Sequence, residues 1–600
     1  MIFKAFSKNK LILFSGLLFF AIHLQFSSIF FKERMLNEDA PFYLMQLIQH
    51  GKMLCEHYRY SVFLFNWVPL LALKAGASIE AITWVYSIAI DAFYLVLFLY
   101  AFFVLKNAWG AFMLVVFLGI ALGRDYFVPG SEYPLAIIST LVLVGMEFNN
   151  SSLIDRNKLI WSAVIILISL NFHPIAILAL GYIICYEFLV SDKHGKKHWV
   201  VLGGIAILIF LVRTWLVPFD EYEDNKMKSW SEVFNFILKP SNLPAAFAAI
   251  KYHTDYSLEL IGAYLLSIIL LVLQKRWLVL LFSCCFTYFL FILFSVIKSP
   301  DDTNLRFAEY FILVGIPALM PIIKHPGLLK GHWFRSATII AIALSTFIFR
   351  TCTNVDYFKH RINYVERLIK NGASLKEKRY IIDYRNIPYS YISNNWPITF
   401  QTLLLSSFRN PDSAVTYIAT KDINAYDTLI RDKSFFLGPE WRIEMYNIGT
   451  NRIKKHYFNL PEEGYRKITT SQKDFIGDSA SFNASTVRII LLDSVVRKIN
   501  DSLSFVIVKI VNNSGKVIPS IPDSENATFL TYHLVDPSSN AFISDNLRTT
   551  LETDIYKENL QALYINTKLI RHKKIELELD FVTENLRWWG IKTRGSVKIY

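Results

Sequence analysis

The sequence predicts a polytopic α-helical membrane protein of about eleven transmembrane helices, followed by an exported α/β segment and a C-terminal antiparallel β-sandwich. Three observations carry this. Of 600 residues 53% are hydrophobic and only 18% charged, with a mean hydropathy of +0.34, whereas soluble domains carry roughly a quarter charged residues. Apolar runs crowd residues 11–350 and then stop; none beyond Arg350 approaches the ~20 residues needed to cross a ~30 Å hydrocarbon core. After residue 480 the pattern turns to alternation, as in Ile575-Glu576-Leu577-Glu578-Leu579-Asp580-Phe581. Aromatic residues at 15% exclude a disordered chain. The 62 Lys+Arg against 49 Asp+Glu give a net charge of +13. In so apolar a chain this excess reads as cytoplasmic loops under the positive-inside rule, so no nucleic-acid partner is expected. Five cysteines, none after Cys352, form neither a disulfide framework nor a zinc spacing.

The first run, Leu11 to Phe31, follows Lys4, Lys8 and Lys10 and is read as an uncleaved span with its N-terminus inside. Further spans are expected near 80–105, 108–123, 133–148, 158–171, 173–190, 198–217, 257–274, 277–297, 308–323 and 333–350. The stretch 61–75, with Pro69 inside and Lys74 at its end, suits either a short span or an interfacial helix. Loop charge decides against a crossing. Without it the cluster Lys193, Lys196 and Lys197, the pair Lys275-Arg276 and the loop from Lys324 to Arg335 all fall inside; with it they face outward. The protein is thus expected in a membrane, as in a bacterial cytoplasmic membrane, with everything after residue 350 on the outer side.

Four outward loops then carry most of the acidic residues that flank spans. Loop one holds Glu38-Asp39, loop two Arg124-Asp125 and Glu132, and loop four Asp301-Asp302 and Arg306. Ionisable groups at span ends cost free energy unless paired or solvated, so short loops of this kind mark candidate sites. Loop three, about 218–256, begins Phe219-Asp220-Glu221-Tyr222-Glu223-Asp224 and reads as solvated span ends. His23 and Asp91 lie inside spans; His23 reads as buried and hydrogen-bonded, whereas Asp91 flags a functional group or an interhelical hydrogen bond equally well.

The segment Glu38-Asp39-Ala40-Pro41-Phe42-Tyr43 through His50-Gly51 resembles the opening motif of the GT-C membrane glycosyltransferases. Tyr58-Arg59-Tyr60 through Pro69 to Gly76 is similar to that family's segment lying along the membrane, although its usual Lys-Pro-Pro is missing and Arg59 is the nearest basic residue. Gly130-Ser131-Glu132-Tyr133-Pro134-Leu135 resembles the family's second outer loop. The resemblance covers residues 1–350. It implies a polyprenyl-phosphate-linked sugar as donor, a glycan, lipid or protein as acceptor, and a site on the outer face.

Moving a sugar from a lipid phosphate to a hydroxyl needs a base within hydrogen-bond reach of that hydroxyl. The oxocarbenium-like transition state leaves growing charge on the lipid phosphate, which cations stabilise best where water is excluded. Asp39 is the expected base, with Glu38 second. Arg59, Arg124 and Arg306 are the expected donor-phosphate partners, since a guanidinium fork holds two phosphate oxygens at once. Tyr43, Asp125, Glu132, Asp301 and Asp302 are expected to line the substrate site. No ligand spacing calls for a metal and no cofactor is expected; the hard oxygen donors a divalent ion would want are Asp39, Glu132, Asp301 and Asp302.

Residues 351–480 mix periods: Asn354 to Asn371 and Pro397 to Phe408 read as helices, Tyr380 to Tyr384 and Ala414 to Ala419 as strands. Residues 481–600 read as the sandwich, with strands at Val487 to Leu492, Leu503 to Val511 and Phe529 to Val535. Tyr532-His533, Arg548 to Leu551 and Phe581 to Glu584 with Trp588-Trp589-Gly590 look like an accessory sandwich of bacterial glycan-handling proteins. Trp588 and Trp589 are candidates for stacking on sugar rings, with Trp588 expected in the core in preference to that role. The alternative to an enzyme is a non-catalytic membrane component of glycan export or assembly that binds glycan through this sandwich.

Overall fold

The computed structural model describes residues 8–53, 55–148, 152–217, 258–297, 312–324, 333–373, 377–383, 396–420, 453–461, 463–468, 484–493, 496–498, 503–514, 518, 528–535, 542–545, 547–551, 555, 558–566, 574–583 and 587–598. It is mostly helical, with a C-terminal region of antiparallel sheets. The chain divides into two compact units, one of Met1–Glu366 with Leu404–Ala414 and Lys454–Asn459, the other of Arg367–Leu403, Val415–Ile453 and Leu460–Tyr600.

The first unit begins with α1 (Lys8–Ile29), α2 (Phe31–Met35), α3 (Ala40–His50), α4 (Phe63–Lys74) and α5 (Ile79–Leu99). There follow α6 (Ala108–Ile120), α7 (Glu132–Thr140), α8 (Ser152–Phe172), α9 (Ala176–Val190) and α10 (Lys193–Leu216). After residue 257 come α11 (Leu258–Leu273), α12 (Trp277–Ile297), α13 (Gly315–Ile323) and α14 (Trp333–Ala373). Among the described residues four helices are long and apolar enough to cross a membrane: Lys10–Ile29, Ile79–Val104, Lys193–Leu216 and Ser336–Ala373. At most of the other expected spans the described residues form apolar helices of 10–17 residues. The stretch 61–75 is α4, a 12-residue helix that rises only about 18 Å at 1.5 Å per residue, too little to cross.

Length and exposure sort the helices. The long ones present large apolar side chains outward, such as Phe14 and Leu18 on α1, Leu208 and Trp215 on α10, and Phe349 on α14. By contrast α6 is buried on every side from Gly110 to Gly119, and every residue of α7 is buried. A helix that is apolar all round belongs in a core. Glycines let α6 sit there: a Cβ on Gly119 would stand 2.5 Å from the Ala343 carbonyl oxygen, and one on Gly110 2.3 Å from that of Val142.

One polar cluster lies inside this core. Asp91 on α5 takes both guanidinium arms of Arg34, Nη1 to Oδ2 at 2.6 Å and Nη2 to Oδ1 at 2.8 Å. His23 Nδ1 stands 2.8 Å from the same carboxylate, and the Ser27 hydroxyl also donates to it. The Arg34 guanidinium lies over the Tyr126 ring at 4.2 Å. The interhelical bond read as one alternative for Asp91 is thus an ion pair, and it fastens α2 to α5.

In the second unit a parallel sheet of order β2-β1-β3 joins β1 (Arg379–Asp383), β2 (Thr416–Thr420) and β3 (Arg466–Ile468). The helix α15 (Ile398–Ser406) falls between β1 and β2 in the chain, the order a parallel pair requires. Further on, β4 (Val487–Leu491), β6 (Leu503–Asn512) and β10 (Glu558–Asn566) form an antiparallel sheet of order β10-β6-β4, with β5 (Arg497–Lys498) on β6. A second sheet has the order β12-β11-β7-β8, with β9 (Thr549–Thr550) on β7 and β13 (Thr593–Lys598) on β11. Its core strands are β7 (Thr528–Val535) and β11 (Lys574–Thr583), flanked by β8 (Phe542–Asp545) and β12 (Arg587–Trp588). One hydrophobic cluster draws side chains from both sheets, among them Ile489, Val508, Leu563, Leu530, Leu577 and Leu579. The tryptophan in that cluster is Trp589, its ring 5.3 Å from Phe581 and its Nε1 donating to Thr583 Oγ1 at 2.9 Å; the side chain of Trp588 lies outside the described residues. Asn512 Oδ1 accepts from the Ser514 amide and hydroxyl, the turn expected of Asn512-Asn513-Ser514.

Arg34→Leu strands the buried Asp91 carboxylate and should cost roughly 3–5 kcal/mol of stability. Arg34→Leu with Asp91→Leu should recover most of that loss. Thermal unfolding of the purified protein reads both, and a double variant no more stable than the single one would refute the pairing as the cause.

Candidate functional site

Loop one and loop two meet at the end of the first span. Asn37 Nδ2 donates to the Phe127 carbonyl at 3.3 Å. Gly130 comes so close to α3 that a Cβ there would stand 2.9 Å from the backbone of Ala40. That approach sets Glu132, the first residue of α7, against two side chains from loop one. The Tyr43 hydroxyl donates to Oε1 at 2.6 Å, and Arg59 Nη1 donates to Oε2 at 2.8 Å. Arg59 and Glu132 are 6% and 3% exposed, so each charge depends on the other for its place away from water.

Asp39 stands immediately before α3 and makes no side-chain capping bond to it, and Pro41 lies in the first turn, where a proline ring fits without loss of a bond. Asp39 is half-buried, and its backbone carbonyl accepts from the Tyr43 amide at 3.1 Å. Tyr43 therefore stands between two carboxylates. Burial first, then the charges of Glu132 and Asp39, push its hydroxyl well above the usual tyrosine range, so it keeps its proton and donates. Glu38, just before, adopts a left-handed φ of 48°, which a side chain with a Cβ seldom takes. His57 and Tyr58, next to Arg59, do the same with φ of 52° and 57°. Backbone held this way persists only where its surroundings over-determine it.

What holds Glu38 is a residue that sequence reasoning missed. Arg361 on α14 pairs with its carboxylate at 3.3 Å, Nη1 to Oε1. Asn354, Tyr357, Phe358 and Arg361 recur at helical spacing on one face of α14. Arg124 Nε donates to Asn354 Oδ1 at 3.2 Å and its guanidinium lies 5.5 Å from the Tyr357 ring centre. The Phe358 ring stacks on Phe127 at 4.5 Å. The signal was present as a polar and aromatic face on the helix expected from Asn354, which the division at residue 350 set apart from the loops it braces.

Of the expected site residues, Asp39, Tyr43, Arg59 and Glu132 come together. Glu38 and Arg124 each meet the Asn354–Arg361 face of α14. Asp125 stands apart: it is 3% exposed, and its Oδ1 makes no hydrogen bond among the described residues. Burial alone pushes its carboxyl well above the usual carboxylate range. Arg306, Asp301 and Asp302 lie outside the described residues, as does loop three. Among the described residues no group of three or more His, Cys, Asp or Glu is placed to hold a metal ion. Cys55 sits beside the pair; burial and then the Glu132 charge push its thiol up to about 12.

Chemically the arrangement offers a half-exposed carboxylate, a proton-bearing phenol and a guanidinium whose direction is set by a buried carboxylate. Such a set can accept a proton from a hydroxyl at Asp39 and hold an anionic oxygen at Arg59.

Two outcomes test this geometry. Cys55 should alkylate more slowly than an ordinary thiol, because the thiolate is the nucleophile. Glu132→Gln should speed it, read by peptide-resolved mass spectrometry; an unchanged rate would place Cys55 outside the field of Glu132. The Asp125 carboxyl has a raised folded-state value, so its stability contribution is complete below the unfolded value of about 3.9 and is lost as pH rises through the folded one. Asp125→Asn should therefore stabilise the protein, by a margin in melting temperature that widens from pH 5 to pH 8.

Comparison with protein-family profiles, with curated proteins and with solved structures returns no match for this chain.

Proposed function

We propose that the protein is a membrane glycosyltransferase of GT-C type, moving a sugar from a polyprenyl-phosphate donor to an extracytoplasmic glycan, lipid or protein. The observation that carries the reading is the junction of Asp39 with the buried Arg59–Glu132–Tyr43 set at the end of the first span. Charged groups are expensive at that depth, and their retention there calls for a purpose beyond folding.

In this reading Asp39 takes the proton of the acceptor hydroxyl as its oxygen bonds to the anomeric carbon. The bond from that carbon to the phosphate oxygen breaks, and the lipid phosphate leaves with the electron pair. Arg59 meets the leaving phosphate, with Arg124 and Arg306 as further cations, and Glu132 fixes the plane in which the Arg59 fork points. Glu38, engaged by Arg361, holds the turn that presents Asp39. The proposal includes eleven spans in a bacterial cytoplasmic membrane, the N-terminus inside, and the two C-terminal antiparallel sheets forming an exported sandwich. The glycan-assembly alternative has its own support in exposed apolar side chains on the β10-β6-β4 sheet: Ile490 on β4 and Leu560 on β10, which flank Lys509 of β6, and Tyr564 on β10.

Transfer of labelled sugar from polyprenyl-phosphate donor in membranes decides between them. Asp39→Asn should lower the rate by about 10²–10⁴, the range for loss of a general base, and Glu38→Gln should lower it less. Transfer unchanged in both single variants and in the double one would remove catalysis from this site and favour the assembly role. Mass spectrometry of lipid-linked intermediates in cells with and without the gene would then name the sugar.

A further inference from the structure

A short stretch from late in the chain, Lys454–Asn459, packs within the first unit. The Lys454 amide donates to Gln49 Oε1 on α3 at 3.4 Å, and the Tyr457 hydroxyl donates to the Leu73 carbonyl on α4 at 3.4 Å. One turn joins these contacts, since the Tyr457 and Phe458 amides both donate to the Lys454 carbonyl at 2.9 Å. Ile453, Tyr457 and Phe458 are buried while Lys455 and His456 are exposed, so the segment turns a cationic side to its surroundings.

The ends of α3 and α4 carry charge of the same sign. His50 closes α3 and is followed by Gly51 and Lys52, and Lys74 closes α4; His50, Lys52 and Lys74 are all exposed. Lys454 stands over the first of these ends, for a Cβ on Gly51 would lie 2.9 Å from its Nζ. Part of its charge answers the carbonyl end of the helix. Burial, then the charges of Lys52 and Lys454, hold the His50 imidazole below its usual range. Among the described residues no carboxylate pairs with Lys52, Lys74, Lys454 or Lys455, whereas the buried Arg34, Arg59 and Arg361 each close on one.

The level of this patch is set by α4. Leu64, Trp67 and Leu71 are 44%, 50% and 55% exposed. They fall on one helical face, which Lys74 continues at the same spacing. A row of large apolar side chains that includes an indole and ends in a lysine suits the boundary where hydrocarbon gives way to headgroups. Lysines at that boundary are drawn to anionic lipid.

We propose that the ends of α3 and α4, together with Lys454–Asn459, form a surface that binds the anionic headgroups of membrane phospholipid through Lys52, Lys74, Lys454 and Lys455. The charges are complementary, and the apolar row on α4 supplies contact with the acyl chains. Two of the cations come from the late segment, so bound lipid holds that segment against loop one whatever reaction the site performs.

Native mass spectrometry of the full-length protein tests this with phosphatidylglycerol and with phosphatidylcholine, whose headgroup has a phosphate but no net charge. Lys52→Gln, Lys74→Gln and Lys455→Gln change exposed positions, and unchanged melting reports that each variant folds. Each should weaken the apparent affinity for phosphatidylglycerol about fivefold and the three together about a hundredfold, the attraction of single lysines to an anionic surface. Phosphatidylcholine should not respond, and Lys592→Gln, an exposed lysine between β12 and β13, should change neither lipid. Phosphatidylglycerol binding unchanged in the triple variant would overturn the proposal. An equal loss of both lipids would overturn it as well, and so would a loss as large in Lys592→Gln. Inorganic phosphate should displace phosphatidylglycerol no better than chloride at equal ionic strength, because both only screen; displacement beyond that would assign the surface to a free anion and overturn the lipid assignment. None of these outcomes depends on transfer activity, so failure of the catalytic reading leaves them unaffected.

Discussion

The Arg59–Glu132 ion pair is the interaction on which the loop-one end of the helical unit depends. Each group is buried, and a buried ion alone costs several kcal/mol. Tyr43 uses Glu132's other oxygen, so the carboxylate is satisfied on both sides. The three side chains come from α3, from the strained turn before α4, and from the start of α7. Joining three separate stretches through one carboxylate converts two flexible loops into a single surface. Asp39, four residues before Tyr43, inherits its position from that surface.

A second layer of ionic contacts holds the first in place. Arg34 closes on Asp91 beneath loop one, and Arg361 closes on Glu38 beside it. Three residues therefore separate the Arg34 anchor from Glu38, a span too short to move far once both ends are fixed. The left-handed turn at Glu38 is understandable on those terms. Its conformational cost, of order 1–3 kcal/mol for strained backbone, is met by contacts on both sides, and the turn leaves Asp39 half-exposed while its neighbours are buried.

The loop-one motif was legible because charge at the end of an apolar run is conspicuous whatever the fold. Asp39, Tyr43, Arg59 and Glu132 all sit in such places. The partners of Asp91 and Glu38 were not legible, since Arg34 and Arg361 find them only once helices pack, at separations of 57 and 323 residues. Hydropathy located the helices well, and among the described residues four of them have the length and apolar content of a span. Its windows register apolar content, and α6 and α7 are apolar for a different reason: they are enclosed by protein. Likewise the break at residue 350 followed hydropathy, whereas α14 continues as one helix of 41 residues to Ala373. Its polar continuation is what touches loops one and two.

That continuity bears on how the site can work. A helix that begins among apolar neighbours and ends by gripping Arg124 and Glu38 transmits position along its axis, because an α-helix resists bending unless proline or a bulge intervenes. The segment from Ser336 to Ala373 contains no proline. The face Asn354–Tyr357–Arg361 is thus a rigid rail, and the two loops are registered against it as well as against each other. A base and a phosphate partner need a fixed separation to act on one substrate, since small misplacements cost large factors in rate. For the proposed reaction, the Arg361–Glu38 ion pair and the Arg124–Asn354 hydrogen bond on α14 hold that separation from one side, and Glu132 holds it from the other.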